Sequence, residues 1–228
     1  MLTKIICICL LSLSCTVSQP EYLGEKPYDL TAPDFSTNAE QFYSKTSSPY
    51  IRIEAEYLSE DENNRRGILY SQRGSLTTTA VFGSLSFKKM SMVTDLDDHL
   101  SAISASEPQV IEGNPEEKSK QLKAEITETI NQCNKQYGKP QMNERKFFNV
   151  PNSIYTWDAG DQLVKIVFPS GILGENPVDH IQIRSLEYEP GRFYETFEPF
   201  VSLFIIKKEF ADSIVGRVNS GEYLYCKP

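Results

Sequence analysis

The fold of this chain is decided by residues 115–137, which read PEEKSKQLKAEITETINQCNKQY. Proline suits the first position of a helix, and the Gly138-Lys139-Pro140 sequence suits its end. Apolar or partly apolar residues recur every three or four positions: Leu122, Ile126, Ile130, Cys133 and Tyr137. This spacing places them on one side of a helix. We therefore expect one long amphipathic helix whose apolar stripe packs on a sheet.

Strand patterns flank this helix on both sides. Residues 51–57 alternate apolar and polar side chains, and residues 68–72 can return as an antiparallel partner. Residues 153–157 and 162–168 predict a hairpin closed by a polar turn, and residues 162–168 are apolar on both sides, as in the middle of a sheet. Residues 201–206 predict another apolar strand. The sequence predicts an α+β fold, mainly an antiparallel sheet with the long amphipathic helix packed on it and one or two short helices.

Short helices are expected near residues 94–103 and 209–218. In the first, Thr94 precedes Asp95, Asp97 and Asp98, and acidic residues are favoured in a first helical turn by the helix dipole. A metal site is the competing interpretation, since His99 follows. The spacing lacks the glycine and glutamate of a calcium-binding loop, and two histidines in the whole chain do not suggest a multi-histidine zinc site. We predict helix capping here, with no metal and no cofactor.

The N-terminus has the pattern of an export signal. Lys4 precedes an apolar run from Ile5 to Leu13 that is too short to span a membrane. We divide the chain into a cleaved signal peptide at 1–14, a flexible tether at 15–48 and a single α+β domain at 49–228. The tether is rich in Pro, Ser, Thr, Asp and Glu and follows no helical or strand period. In the alternative interpretation, Tyr22, Tyr28 and Phe35 dock along the domain as an irregular arm.

The sequence Ser12-Leu13-Ser14-Cys15 resembles the cleavage region of bacterial lipoprotein signal peptides. In that family, cleavage occurs just before a cysteine that becomes the lipid-modified N-terminus, so the resemblance implies lipidation of Cys15. Ser12 and Leu13 stand in the reverse of the family's preferred order. Ordinary cleavage after Ser18, with Thr16 and Ser18 as the small residues, is the alternative.

Two cysteines, Cys133 and Cys226, lie in the body of the chain. In an oxidising compartment they could form a disulfide closing a long loop. Alternatively, Cys133 is a small core residue and Cys226 a terminal thiol. The sequence leaves both interpretations open.

Charge and motifs exclude several classes of function. The net charge is −8, and removing Lys4 with the signal leaves about −9, which disfavours nucleic-acid binding. The chain has no nucleophile elbow, no phosphate-binding glycine loop and no His-Glu-x-x-His motif. We predict no catalytic residues.

One segment favours a protein partner. Residues 189–200 read EPGRFYETFEPF and place four aromatic residues, Phe193, Tyr194, Phe197 and Phe200, among charges and prolines. Exposed aromatic residues bordered by charges are typical of binding surfaces. The alternative is that these rings fold back to cap the sheet.

The Tyr137-Gly138-Lys139-Pro140 and Tyr155-Thr156-Trp157 sequences resemble a pattern in uncharacterised bacterial secreted proteins and lipoproteins. The resemblance implies a cell-envelope protein and transfers no site. We therefore expect a non-enzymatic interaction or structural protein, lipid-anchored to a membrane. Two alternatives are a secreted hydrolase acting on envelope material and a soluble small-ligand binding protein.

Overall fold

The computed structural model describes residues 27–44, 50–55, 67–72, 80–108, 115–147, 150–174 and 200–211. Within these residues the fold is α+β with mostly antiparallel strands, which confirms the predicted class. A large sheet has eight described strands in the order β2-β3-β6-β7-β11-β10-β9-β8. These strands are β2 Tyr50–Ala55, β3 Gly67–Gln72, β6 Lys89–Thr94, β7 Leu100–Pro108, β8 Gln141–Phe147, β9 Val150–Asp158, β10 Gln162–Pro169 and β11 Phe200–Lys207.

A small sheet packs on one face of the large one. It consists of β1 Tyr28–Asp29, β4 Ala80–Phe82 and β5 Leu85–Phe87, with β1 parallel to β4 and β4 antiparallel to β5. Phe82, Leu85 and Phe87 are buried in the same core as Met90 and Met92 of β6. The small sheet therefore covers part of the large sheet.

Two α-helices, α1 Ala39–Ser44 and α2 Pro115–Tyr137, lie within the described residues. Helix α2 buries Leu122, Ile126 and Cys133 in the core shared with β9 and β10. The indole Nε1 of the buried Trp157 on β9 donates a hydrogen bond to Asn134 Oδ1 at 3.0 Å. This bond fixes the C-terminal half of α2 against the sheet, because an unpaired indole N–H would be costly in the core.

Strand β10 lies between β9 and β11, as its apolar pattern predicts. Residues 164–169 are all buried. Alternate residues face opposite sides of a strand, so Val164 and Ile166 face α2 while Lys165 and Val167 face the other side. The sheet is therefore buried on both faces around β10.

Residues 27–44, which the sequence places in the predicted tether at 15–48, pack against the body of the chain. Leu30, Ala39, Phe42 and Tyr43 are buried, and the Tyr43 hydroxyl donates to the Met90 carbonyl oxygen at 2.9 Å. Tyr28 and Phe35 pack partly buried against the core, as in the docked-arm alternative, and Tyr22 lies outside the described residues. A two-residue strand and a six-residue helix are too short to produce a visible period in the sequence.

The predicted closing helix at 209–218 lies largely outside the described residues. A short 3₁₀ helix, Lys208–Phe210, follows β11 at this point. Lys208 joins it to the β9–β10 turn, because its Nζ lies 2.8 Å from Asp158 Oδ2 and its N–H donates to the Asp161 carbonyl oxygen at 2.9 Å.

Candidate functional site

The acidic segment after Thr94 forms a hairpin turn instead of the predicted helix. Strand β6 ends at Thr94 and β7 begins at Leu100. Asp95 Oδ1 accepts hydrogen bonds from the backbone N–H groups of Asp97 and His99, each at 2.9 Å, and the Asp95 N–H donates to the His99 carbonyl oxygen at 3.0 Å. An aspartate can cap such a turn as well as a helix, so the same residues fit both structures.

Three side chains of this turn, two carboxylates and one imidazole, lie close enough together to be possible metal ligands. Atoms of Asp95, Asp97 and His99 lie within 4.8 Å of one another, and His99 Nδ1 lies 3.1 Å from Asp95 Oδ2. Asp97 and His99 are exposed, and Asp95 is already occupied by two backbone N–H groups. The hydrogen bonds of the turn account for this arrangement, so we assign no metal to it.

A chain of polar contacts links this turn to the neighbouring strands. Arg52 Nε donates to the Tyr70 hydroxyl at 3.2 Å, and that hydroxyl donates to Asp98 Oδ1 at 3.0 Å. Burial raises the pKa of Tyr70, so its hydroxyl keeps the proton that it donates. Asp98 has a φ of 63°, in the left-handed region that aspartate tolerates better than most residues. These contacts attach the turn to β2 and β3.

Replacing Asp95 by alanine is expected to lower the free energy of unfolding by about 1 to 2 kcal/mol, because two backbone N–H groups lose their acceptor. Urea unfolding followed by circular dichroism would measure it. Asp97→Ala, which removes a carboxylate that accepts neither of these two bonds, is the matched control. Equal losses in the two variants would contradict this account of the turn.

A second candidate site lies on the sheet face opposite α2 and is polar although buried. Cross-strand register aligns Ser71, Ser91, Ser104, Phe204, Lys165 and Thr156 in one row across six strands. We call Ser71, Ser91, Ser104 and Lys165 the polar row. Their side chains lie on one face because directly opposed residues of antiparallel strands point the same way.

Burial of the polar row is nearly complete. The exposed fractions are 7% for Ser71, 4% for Ser91, 5% for Ser104 and 1% for Lys165. Ser91 Oγ donates to Ser71 Oγ at 2.8 Å. Burial lowers the pKa of Lys165 to about 8, because the charged ammonium loses its water.

Ser202 extends this polar surface. It lies on β11 two residues from Phe204, so it shares the face of the polar row, and it is 1% exposed. Among the described residues, its Oγ is a buried side-chain atom without a hydrogen-bond partner. Sequence reasoning missed this site because strands distant in sequence bring its residues together. The available signal was a lysine within the apolar sequence Leu163-Val164-Lys165-Ile166-Val167.

Most of the residues predicted from sequence to have a function lie outside the described residues: Cys15, Cys226, Phe193, Tyr194 and Phe197. The backbone of Phe200 is described and begins β11 opposite Pro108. Cys133 is a free thiol on α2, 3% exposed, and burial raises its pKa to about 12. The pairing of Cys133 with Cys226 stays a prediction.

Comparison with known proteins returns no match: no family model, no curated protein and no solved structure matches this chain. In the part of the chain that the structure describes, no helix is both long enough and apolar enough to cross a membrane.

Proposed function

We propose that this chain is an exported interaction or structural protein of a cell envelope, held at a membrane by lipid on Cys15. The observation that carries the proposal is the N-terminal sequence, in which Lys4, a mostly apolar run from Ile5 to Leu13 and Ser14 precede Cys15. Its resemblance to bacterial lipoprotein signals supports lipid attachment over simple secretion. Secretion after cleavage at Ser18 is the competing form of the proposal.

The tether in this proposal is shorter than the sequence alone suggests. Since residues 27–44 pack in the body, the connection from Cys15 spans residues 15–26. A flexible chain of that length has a root-mean-square span of about 20 Å. The proposed anchor therefore holds the body close to the membrane surface.

Helix α2 is, in this proposal, a long amphipathic helix that packs on the sheet. Its buried Leu122, Ile126 and Cys133 support that role, as do Glu117, Gln121, Glu128, Asn131 and Lys135 on its exposed side. We assign the partner contact instead to the aromatic surface of Phe193, Tyr194, Phe197 and Phe200, since aromatic residues dominate the energetics of protein interfaces.

Intact-mass analysis tests the proposed anchor. The full chain is expressed in a bacterium that processes lipoproteins, and the membrane and soluble fractions are analysed separately. We expect membrane-associated protein that begins at Cys15 and carries the added mass of two or three acyl chains. Cys15→Ser is expected to lose the acyl mass and leave the membrane fraction.

Cys9→Ser is the matched control, because it replaces another cysteine of the signal and should leave acylation unchanged. A mature chain that begins at Gln19 without lipid would show that the anchored form of the proposal is wrong. Retention of the acyl mass in Cys15→Ser would overturn the assignment to that cysteine.

A further inference from the structure

Strand β8 lies at one end of the large sheet within the described residues. Along one side it pairs with β9, where Met142 lies opposite Tyr155. Every residue from 141 to 146 is exposed, and Met142 is 64% exposed although it is large and apolar. An end strand carries backbone N–H and C=O groups along its other side, and these groups can pair with a further strand. Strand β8 is therefore a surface to which another chain can add a strand.

Two residues of opposite charge lie on one face of β8. Glu144 and Lys146 are two positions apart, so their side chains point the same way. Their cross-strand neighbours on β9 are Ser153 and Pro151, and neither of these carries a charge. Among the residues that the structure describes, no ion pair engages the Glu144 carboxylate or the Lys146 ammonium. Both charges are exposed and can pair with another chain.

From this arrangement we infer that β8 pairs antiparallel with β8 of a second copy of this chain, about a two-fold axis through the two Arg145 residues. In this register Glu144 of each copy lies directly opposite Lys146 of the other, so two ion pairs form. Charged residues on an edge strand usually discourage pairing with another chain. Here one face carries both signs, so the edge is complementary to itself. This inference is independent of export, lipidation and the proposed aromatic surface.

The charges select the register of this pairing. In a two-fold antiparallel pair, the residue on the axis lies opposite its own copy. An axis through Glu144 would oppose two carboxylates, and an axis through Asn143 would place Glu144 opposite Met142 without an ion pair. The axis through Arg145 gives two pairs of Glu144 with Lys146, against one pair of like charges on the other face. Met142 then lies diagonal to Lys146 of the second copy, whose methylene stem can cover it.

Sedimentation velocity of the purified full chain, at concentrations from about 1 µM to about 1 mM, tests this pairing. We expect a reversible equilibrium between monomer and dimer. Glu144→Lys and Lys146→Glu should each weaken the dimer about fivefold or more, because each change opposes like charges twice. Combining the two changes restores opposite charges, so the double variant should dimerise like the unchanged protein. Arg145→Gln removes the like-charge pair on the axis and should dimerise more tightly.

Glu128→Lys is the matched control, because it makes the same change in net charge as Glu144→Lys at an exposed position of α2. It should dimerise like the unchanged protein. The β8 variants alter exposed side chains, so their circular dichroism spectra should be unchanged. A monomer at every concentration would overturn the inference, as would a double variant that dimerises no better than the single variants. Growth beyond the dimer would show that β8 pairs with a different edge and would overturn the two-fold arrangement.

Discussion

Gly83→Ala is expected to lower the free energy of unfolding by about 3 kcal/mol, and Gly83→Val by more. Gly83 lies in the β4–β5 turn with a φ of +58°. A side chain in that region strains the backbone by about 1 to 2 kcal/mol. An added Cβ would also lie 2.7 Å from Gln132 Oε1 and 3.1 Å from Thr129 Oγ1 on α2.

The two contacts differ in how easily they can yield. Gln132 is exposed and flexible, so its amide can move away. Thr129 is fully buried, and its Oγ1 accepts the Ser84 N–H at 3.1 Å while donating to the Glu125 carbonyl oxygen at 2.8 Å. Displacing Thr129 would break the hydrogen bond that attaches the small sheet to α2. The crowding therefore adds a cost beyond that of backbone strain.

Gly160→Ala separates these two costs. Gly160 has a φ of +85° in the β9–β10 turn, and an added Cβ there meets nothing within 4 Å. The free energy of unfolding of Gly160→Ala should therefore fall only by the contribution of backbone strain, about 1 to 2 kcal/mol. Urea unfolding can be followed by fluorescence of Trp157, the single tryptophan, which is fully buried. If Gly83→Ala loses no more than Gly160→Ala, the small sheet does not depend on close approach to α2.

Local sequence signals predicted much of the fold because each signal and its structure involve neighbouring residues. The alternation in 51–57, with 68–72 as its returning partner, predicts β2 and β3, and the run at 162–168 that is apolar on both sides predicts the central position of β10. Each pattern indicates which faces of a strand are buried, because a buried face requires apolar side chains.

The errors have a common physical origin in contacts that are not local. Asp95 has the same acceptor chemistry in a helix cap and in a hairpin turn, so only the pairing of β6 with β7 decides between them. Tyr43 on α1 is buried by strands far along the chain, and its bond to Met90 spans 47 residues. The polar row depends on the strand order β3-β6-β7-β11-β10, which no local pattern encodes.

Lys165 is expected to make stability rise with pH between about 8 and 10.5. Its pKa in the folded chain is about 8, below the value of 10.5 for an unburied lysine. In that interval the unfolded chain binds the proton and the folded chain does not, so the free energy of unfolding increases with pH. The full change is of the order of 3 kcal/mol, since one pKa unit corresponds to about 1.4 kcal/mol.

Other groups oppose this trend at higher pH. Burial raises the pKa values of one thiol and four tyrosines: Cys133, Tyr28, Tyr43, Tyr70 and Tyr137. In the unfolded chain these values are 9.0 for the thiol and 10.0 for the tyrosines. The contributions of these groups to stability are therefore lost as the pH rises above the unfolded values. These groups are the same in a lysine variant. The difference in stability between the unchanged protein and Lys165→Met therefore isolates Lys165. Asp158 shares the Lys165 face at the end of β9, where it pairs with Lys208.

Urea unfolding at several pH values from about 7 to 10 measures this difference. Relative to Lys165→Met, the unchanged protein should gain stability steadily above about pH 8, whatever the offset between the two at neutral pH. Lys165→Gln should behave like Lys165→Met, and Lys135→Met, at an exposed position, should follow the unchanged protein. A constant difference across the range would mean that Lys165 keeps its charge in the folded chain as easily as in water. A rising difference would mean that the folded chain binds the Lys165 proton less tightly than the unfolded chain does, as burial of the ammonium predicts.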